Sequence, residues 1–343
     1  MQALAQAVRH ATALELSGAR AAAEEAWRAI LASDRESPWA RYALSHLLIS
    51  RGADREGWAL YESRLDIPDL KIGRLPPVYP MWRGEPVKSL VVLGEQGLGD
   101  QIMFARWVPA LAQRGISVTL LVDPALVRLF GSMPAKVVAA AGPVSLGDPD
   151  AWCLIGSLPN LVGPVMATPY LPDGEGGGGV GVMPVGSPNR PNGVDRSLPP
   201  DLAAELRRIG RDLSPEATGA RDFEDTAEII RNLDVVISVD TSVAHLAGAM
   251  GKPTILLLPH RACWRWGAEG ERSRWYSSMR IVRQPAPGDW ASVVDQGIAL
   301  IRTMTAAPAA PAAPLSISAP PLPLPPGKPA ALVAPHAMPL LGS

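Results

Sequence analysis

A buried apolar run that leads through a polar turn into a helix of small residues constrains this chain most. Residues 235–239 are apolar apart from Ser238, the turn is Asp240-Thr241-Ser242, and a second apolar run follows at residues 254–258. This order predicts a βαβ unit. Unpaired amides and the dipole at the start of such a helix suit a phosphate. Asp, Thr and Ser are also ordinary N-caps, so the pattern alone leaves a purely structural role open.

Length and composition set outer bounds on the molecule. The chain has 343 residues, 47% of them hydrophobic, which is enough core for two or three domains. A net charge of −1 offers no long-range attraction to nucleic acid, so we expect no nucleic-acid partner. Cys153 and Cys263 lie far apart in apolar context. Their spacing predicts reduced thiols, a cytoplasmic location and no metal cluster.

The sequence also bears on membranes. No apolar run approaches the roughly 20 residues that a membrane-spanning helix needs. The N-terminus lacks the basic segment and apolar core of a signal peptide. We therefore expect no transmembrane segment, and any membrane contact would be peripheral.

The N-terminal residues 3–65 are rich in Ala, Leu, Glu and Arg and predict four amphipathic helices, broken near Gly18, Pro38 and Gly52. Gly18 and Gly52 lie 34 residues apart, the period of the tetratricopeptide repeat. Fewer than three repeats are rarely stable alone, so this block should pack on the α/β part of the chain. It could dock a protein partner or simply cap the neighbouring domain.

Beyond residue 71 the patterns alternate between strand and helix and predict an α/β protein with parallel sheets. A run of glycines at residues 174–179 predicts a flexible joint between two such halves, with ligands binding in the cleft between them. Residues 305–343 contain eleven prolines and one charged residue, which predicts a disordered tail or a Pro-rich ligand. The predicted strands are residues 90–93, 118–122, 136–140, 152–155, 180–182, 212–213, 235–239 and 254–258, and the predicted helices of the two halves are residues 101–113, 124–130, 201–209, 225–232 and the one after Ser242.

A glycine loop follows the first predicted strand and contains Gly97 and Gly99, which would let a ligand approach the backbone. Asp100 stands at the mouth of the next helix. An NAD-binding fold is an alternative, and Asp123 stands where a ribose-binding acid would be. However, Ile102 occupies the third glycine position of the dinucleotide fingerprint.

The Gly99-Asp100 loop and the pattern of residues 240–253 together resemble the heptosyltransferase-like glycosyltransferases of family 9. With the helical repeats and residues 95–100, 196–199, 219–227 and 264–266, the chain is similar to bacterial proteins that fuse tetratricopeptide repeats to such a transferase. The resemblance covers roughly residues 10–303. It implies a GT-B architecture, in which two Rossmann-like domains face a cleft, and an inverting, metal-independent sugar transfer.

The resemblance also implies boundaries and partners. Residues 1–70 would be the repeat-like block, 71–173 the acceptor-side domain, 174–304 the nucleotide-sugar domain and 305–343 the tail. The donor would be a nucleotide-diphosphate sugar, a co-substrate, and no cofactor is expected. The acceptor would be a surface polysaccharide, a lipid-linked glycan or a protein such as flagellin, which the helical block could dock.

Candidate site residues follow from this resemblance and from chemistry. Asp100 matches the catalytic aspartate of the family and would accept the proton of the acceptor hydroxyl, with Glu95 in reserve. Gln96, Gly97 and Gly99 would line the same cleft.

On the donor side, Arg196 matches the phosphate-binding cation of the family, and Thr241 and Ser242 would offer donors to the diphosphate. Asp240 would fix the loop or contact the sugar, and His245 would orient phosphate or sugar. Aromatic side chains for stacking on base or sugar are Trp264 and Trp266, with Trp275 and Tyr276 nearby in sequence.

Two other functions remain open. The chain could be a non-catalytic tetratricopeptide adaptor in which the α/β halves are a relic. Presence of both Asp100 and the Asp240-Thr241-Ser242 turn argues against a relic. The NAD-dependent enzyme is the third possibility.

Overall fold

The computed structural model describes residues 2–187 and 195–305. Within them lie an N-terminal helical block and two parallel β-sheets flanked by helices, a mixed α/β architecture. The predicted tail at residues 305–343 falls outside the described residues except for Thr305. No helix of the described part is long and apolar enough to cross a membrane.

Four helices form the N-terminal block, as predicted for residues 3–65. The turns at Gly18 and Gly52 have φ of 82° and 86°, a left-handed conformation that favours glycine. Trp27, Leu44 and Leu48 are buried between the helices. The helices are α1 (Gln2–Leu16), α2 (Arg20–Ser33), α3 (Pro38–Ser50) and α4 (Asp54–Tyr61).

The first lobe, residues 89–162, contains a four-stranded parallel sheet in the order β3-β2-β1-β4. In the register of its central strand, Leu93 pairs with Leu121 on one side and with Leu154 on the other. Its strands are β1 (Ser89–Leu93), β2 (Ser117–Val122), β3 (Lys136–Ala139) and β4 (Ala151–Leu154), and its helices are α5 (Leu98–Ala105), α6 (Val108–Gln113) and α7 (Leu158–Val162).

Two helix predictions in this lobe are corrected. Residues 101–113 form the two helices α5 and α6 because Pro109, which has no N–H, cannot bond to the carbonyl one turn earlier. Residues 124–130 fall into short 3-10 turns, Pro124–Leu126 and Leu129–Ser132, and the carboxylate of Asp123 caps the first by accepting the Ala125 amide at 2.9 Å.

The second lobe, residues 180–305, contains a five-stranded parallel sheet in the order β6-β5-β7-β8-β9. Its last strand and last helix have no counterpart in the sequence prediction, although Trp290, Val293 and Val294 form a buried helix face. The strands are β5 (Val180–Met183), β6 (Arg211–Asp212), β7 (Val235–Val239), β8 (Thr254–Leu258) and β9 (Met279–Arg283), and the helices are α8 (Pro200–Ile209), α9 (Pro215–Thr218), α10 (Phe223–Arg231), α11 (Ser242–Met250) and α12 (Trp290–Thr305).

The glycine run at residues 174–179, predicted to be a flexible joint, packs closely on the end of α10. A Cβ at Gly174 would lie 2.7 Å from the carbonyl oxygen of Arg231. The amides of Gly177 and Gly179 donate to the carboxylate of Asp234, the latter at 2.9 Å. The glycines therefore allow close backbone contact and hold the chain in place before β5.

The helical block packs against both lobes. Arg274 of the second lobe pairs with Asp54 at the start of α4. Arg64, just after α4, pairs with Glu95 of the first lobe at 2.7 Å. The block therefore caps the α/β halves, which favours the second of the two roles that the sequence left open.

Candidate functional site

The site lies where the loop after β1 meets the turn after β7. Both segments leave the carboxyl end of a buried central strand, and each opens a helix, α5 and α11 respectively. These two helices pack against each other across the lobes. The predicted Gly99-Asp100 loop and Asp240-Thr241-Ser242 turn are therefore brought together.

The start of α11 leaves backbone donors unpaired among the described residues. Thr241 is the N-cap, and its hydroxyl accepts the Ala244 amide at 3.4 Å while lying 3.0 Å from the hydroxyl of the buried Ser238. Within residues 2–187 and 195–305, the amides of Ser242 and Val243 have no hydrogen-bond acceptor. Two donors and the positive end of the helix dipole are thus available to a ligand.

Arg196 and Asp240 lie beside this helix start. Nη1 of Arg196 is 4.0 Å from Oδ2 of Asp240, and both side chains are largely buried. Nε of Arg196 is buried without a hydrogen-bond partner among the described residues. Burial raises the pKa of Asp240, while the Trp266 indole and the charges of Arg196 and Arg265 oppose that rise. Arg196, the predicted phosphate-binding cation, therefore lies beside the Asp240-Thr241-Ser242 turn, and its Nε is unpaired among the described residues.

His245 is a buried contact between the lobes. Its Nδ1 lies 2.8 Å from the hydroxyl of Tyr276, and its ring stacks on Trp266 with centroids 4.6 Å apart. Burial lowers the pKa of His245 well below its usual value, and the charge of Arg265 adds to the effect. The imidazole also packs on the backbone of Gly99.

Asp100 faces the second lobe and is held from both sides. Its Oδ2 accepts the Gly97 amide at 3.2 Å, which caps α5, and its Oδ1 accepts Nε of Arg265 at 2.6 Å. Nη2 of Arg265 also donates to Oε1 of Gln96 at 3.2 Å. Arg265 thereby joins the two lobes at the predicted proton acceptor.

The sequence patterns assign no role to Arg265, although residues 264–266 belong to the segments that carry the family resemblance. A usable signal was present, because an arginine between Trp264 and Trp266 suggests a partly desolvated cation. In the structure its guanidinium lies over the Trp264 ring, 4.6 Å from the centroid, and its Nη1 donates to Sγ of Cys263.

Gln96 is held in an unusual backbone conformation. Its φ of 61° is left-handed, a region that costs a non-glycine residue about 1–2 kcal/mol. The side-chain amide donates to the hydroxyl of Tyr61 on α4. The helical block therefore fixes the loop that carries Gly97 and Asp100.

Glu95 is a buried structural residue. Its carboxylate accepts Nη2 and Nε of Arg64 at 2.7 and 3.1 Å and the Gly156 amide at 3.0 Å. Arg64 also donates to the hydroxyl of Ser157 at 2.8 Å. Both oxygens of Glu95 are engaged by buried donors, which favours a structural role over the predicted reserve role as proton acceptor.

The aromatic candidates are occupied by internal packing. Trp264 stacks on His46 of α3, with centroids 5.1 Å apart and planes 10° apart. Trp266, Trp275 and Tyr276 are almost fully buried. The stack of Trp264 on His46 joins the second lobe to the helical block. Our proposal does not assign base or sugar stacking to any of these four aromatic residues.

Two further expectations concern other ligands. Asp123 caps a turn, and its own amide is bound by Oε1 of Gln101 at 3.0 Å, so its local contacts are structural. Across the part of the chain that the structure describes, no group of three or more His, Cys, Asp or Glu side chains could hold a metal ion.

A family model matches part of the chain. Residues 200–310 match glycosyltransferase family 9 (heptosyltransferase). This segment contains Asp240, Ser242, His245 and Arg265. Asp100 and Arg196 lie outside it.

Two individual proteins are similar over longer stretches. The chain is 26% identical to Protein FlbA of Caulobacter vibrioides over 85% of its own length, and it spans only 59% of the length of that relative. A solved structure, the dodecameric iron-containing heptosyltransferase TibC in complex with ADP-D-beta-D-heptose, is 12% identical with a TM-score of 0.38, covering 68% of this chain and 83% of TibC. From the family match, residues 200–310 are a glycosyltransferase family 9-like, heptosyltransferase-like segment of the chain.

Proposed function

We propose that the chain is an inverting glycosyltransferase of GT-B arrangement that moves a sugar from a nucleotide-diphosphate donor to a hydroxyl of a glycan or protein. The main support for the proposal is that a carboxylate suited to accept a proton and amides suited to bind a phosphate lie close together. The Asp100 carboxylate and the amides at the start of α11, which are unpaired within residues 2–187 and 195–305, lie on helices that pack together, and the family match covers the second of these helices.

The diphosphate would lie at the start of α11. The donors would be the amides of Ser242 and Val243 and Nε of Arg196, none of which has a hydrogen-bond partner among the residues that the structure describes. Negative charge grows on the diphosphate as the anomeric C–O bond breaks, and preorganised donors stabilise that charge without needing to reorient. Arginine suits this role because its planar fork matches phosphate oxygens. The proposal uses no metal ion.

Asp100 would then serve as the general base. The acceptor oxygen forms the new bond to the anomeric carbon, the bond to the diphosphate breaks with its electron pair, and the hydroxyl proton moves to the carboxylate. Such proton transfer contributes about 10²–10⁴-fold to a rate. A single displacement of this kind inverts the anomeric configuration.

We further propose that the reaction is cytoplasmic and that the helical block, whatever its repeat class, acts first as a structural cap. Cys153 and Cys263 are both unpaired, which fits a reducing compartment. The acceptor remains either a glycan or a protein.

Calorimetric titration with ADP, GDP, UDP and dTDP tests the proposal directly. We expect one of the four to bind, and its nucleotide sugars to release that diphosphate when incubated with the protein and acceptor candidates. The proposal is lost if none of the four binds to folded protein and no nucleotide sugar is consumed.

A further inference from the structure

Arg265 lies between the proposed proton acceptor, Asp100, and the second lobe, which contains α11. Its guanidinium reaches across from the second lobe to Oδ1 of Asp100 at 2.6 Å and to Oε1 of Gln96 at 3.2 Å. The next residue in sequence, Trp266, stacks on His245 in the first turns of α11, with ring centroids 4.6 Å apart. Arg265 therefore pairs with a carboxylate of the first lobe and adjoins a residue that packs on α11, the helix whose start bears the amide donors.

The pairing with Asp100 obstructs the proposed chemistry. Oδ2 of Asp100 accepts the Gly97 amide and Oδ1 accepts the arginine, so each carboxylate oxygen is already engaged by a donor. An acceptor hydroxyl needs one of these oxygens to take its proton. The arginine occupies Oδ1 from the side of the second lobe, so its departure opens that oxygen to the acceptor hydroxyl.

A bound diphosphate would compete with Asp100 for the Arg265 guanidinium. It carries more negative charge than a carboxylate and offers oxygens that match the guanidinium fork. Apart from Asp100, the guanidinium of Arg265 contacts the amide oxygen of Gln96, Sγ of Cys263 and the face of Trp264, and none of these three groups is a carboxylate that would hold it as an ion pair.

We infer that Arg265 is a shared cation that pairs with Asp100 in the free protein and with the donor diphosphate in the complex, so that donor binding uncovers the proton acceptor. This inference rests on the proposed function. It adds a diphosphate-binding residue to the site and orders the reaction, since the acceptor is deprotonated only after the donor has bound.

Removing the charge of Asp100 should strengthen nucleoside diphosphate binding, although Asp100 is itself a site residue. Asp100 competes with the diphosphate for Arg265, so Asp100→Asn should bind a nucleoside diphosphate more tightly than the wild type. We expect a gain of about 10-fold, within the range of typical coupling between sites. The amide of asparagine can still accept the Gly97 N–H, so the cap of α5 is preserved.

A double-mutant cycle separates this effect from simple charge removal. The tightest binder among ADP, GDP, UDP and dTDP is titrated by calorimetry into wild type, Asp100→Asn, Arg265→Gln and the double variant, with Arg265→Lys as a second substitution at this position. We expect Arg265→Gln to bind about 10-fold more weakly, and Asp100→Asn to change affinity less than about 2-fold in the Arg265→Gln background.

The control for the cycle is Arg128, which also bridges the lobes. It pairs with Asp222 at 2.9 Å and Asp225 at 2.7 Å, is about half exposed and lies on the surface. Arg128→Gln should leave affinity unchanged in both Asp100 backgrounds.

Three outcomes are distinct. A gain on Asp100→Asn that disappears without Arg265 supports the shared cation. No gain, or an equal gain in both backgrounds, overturns the shared cation and leaves the proposed function intact. Absence of nucleoside diphosphate binding by the wild type overturns the proposed function, and the shared cation with it.

Discussion

The imidazole of His245 lies directly against the backbone of Gly99, so that a Cβ at Gly99 would be 2.7 Å from Cδ2 of the ring. Gly99 belongs to the first turn of α5 and His245 to the first turns of α11. The two loops that carry the proposed chemistry are thus set by one close contact between the lobes.

Gly99→Ala should separate these loops. Overpacking of a tight contact costs about 1–3 kcal/mol, because backbone or ring must move. We expect that loss in the free energy of unfolding, measured by urea denaturation, together with weaker nucleoside diphosphate binding. Gly131→Ala is the matched control, since a Cβ there meets no atom within 4 Å. Equal stability of both variants would show that the contact is not tight.

The buried Arg64–Glu95 pair should be essential to folding. Glu95→Ala removes two charged hydrogen bonds from the fully buried guanidinium of Arg64, which keeps Glu62 at 2.9 Å, and leaves the Gly156 amide without its acceptor; together these losses cost about 3–5 kcal/mol. The exposed Arg28–Glu56 pair is the control, and Glu56→Ala should change the free energy of unfolding by less than about 1 kcal/mol. Chemical denaturation of both variants measures the difference, and similar losses would contradict a structural role for Glu95.

His46, whose Nε2 is buried, should make the protein less stable in mild acid. Burial lowers the pKa of His46 to about 3, helped by the charge of Arg265. The unfolded chain therefore binds a proton first, as pH falls below about 6.5. Stability from this group is complete above that pH and falls by up to about 1.4 kcal/mol per pH unit below it.

The measurement compares the unfolding free energy of wild type and His46→Gln at pH 7.5 and 5.5. We expect a smaller pH dependence for the variant, whatever its stability at neutral pH. Identical slopes would mean that His46 titrates alike in both states.

Arg196→Gln should weaken diphosphate binding with little effect on folding. Its Nε has no hydrogen-bond partner among the described residues, and its nearest ion-pair contact is Asp240 at 4.0 Å. A lost charged hydrogen bond to phosphate corresponds to about 10-fold or more in affinity. Calorimetry gives the affinity and thermal melting the stability. A variant that melts far below wild type but binds normally would assign Arg196 a structural role.

Much of the fold and half of the site follow from local sequence pattern. The β7–α11–β8 unit and the strand and loop before Asp100 are confirmed because apolar runs, glycines and N-cap residues act over a few neighbours. The break at Pro109 also has a local cause, yet the helical pattern of the flanking residues concealed it.

The rest depends on contacts between distant parts of the chain. Arg265 reaches Asp100 across 165 positions, and Arg64 reaches Glu95 across 31. Neither pairing leaves a periodic signal, so sequence pattern could not distinguish the enclosed carboxylate at position 95 from the carboxylate at position 100 that faces the other lobe. Packing decides that Glu95 is enclosed and that Asp100 faces the second lobe.

The central claim is that Asp100 takes the proton of the acceptor. It is tested most directly by the turnover of Asp100→Asn at saturating nucleotide sugar and acceptor, with circular dichroism and thermal melting to verify folding. Our account predicts a loss of about 10²–10⁴-fold in kcat. Turnover equal to wild type in a folded variant would contradict it.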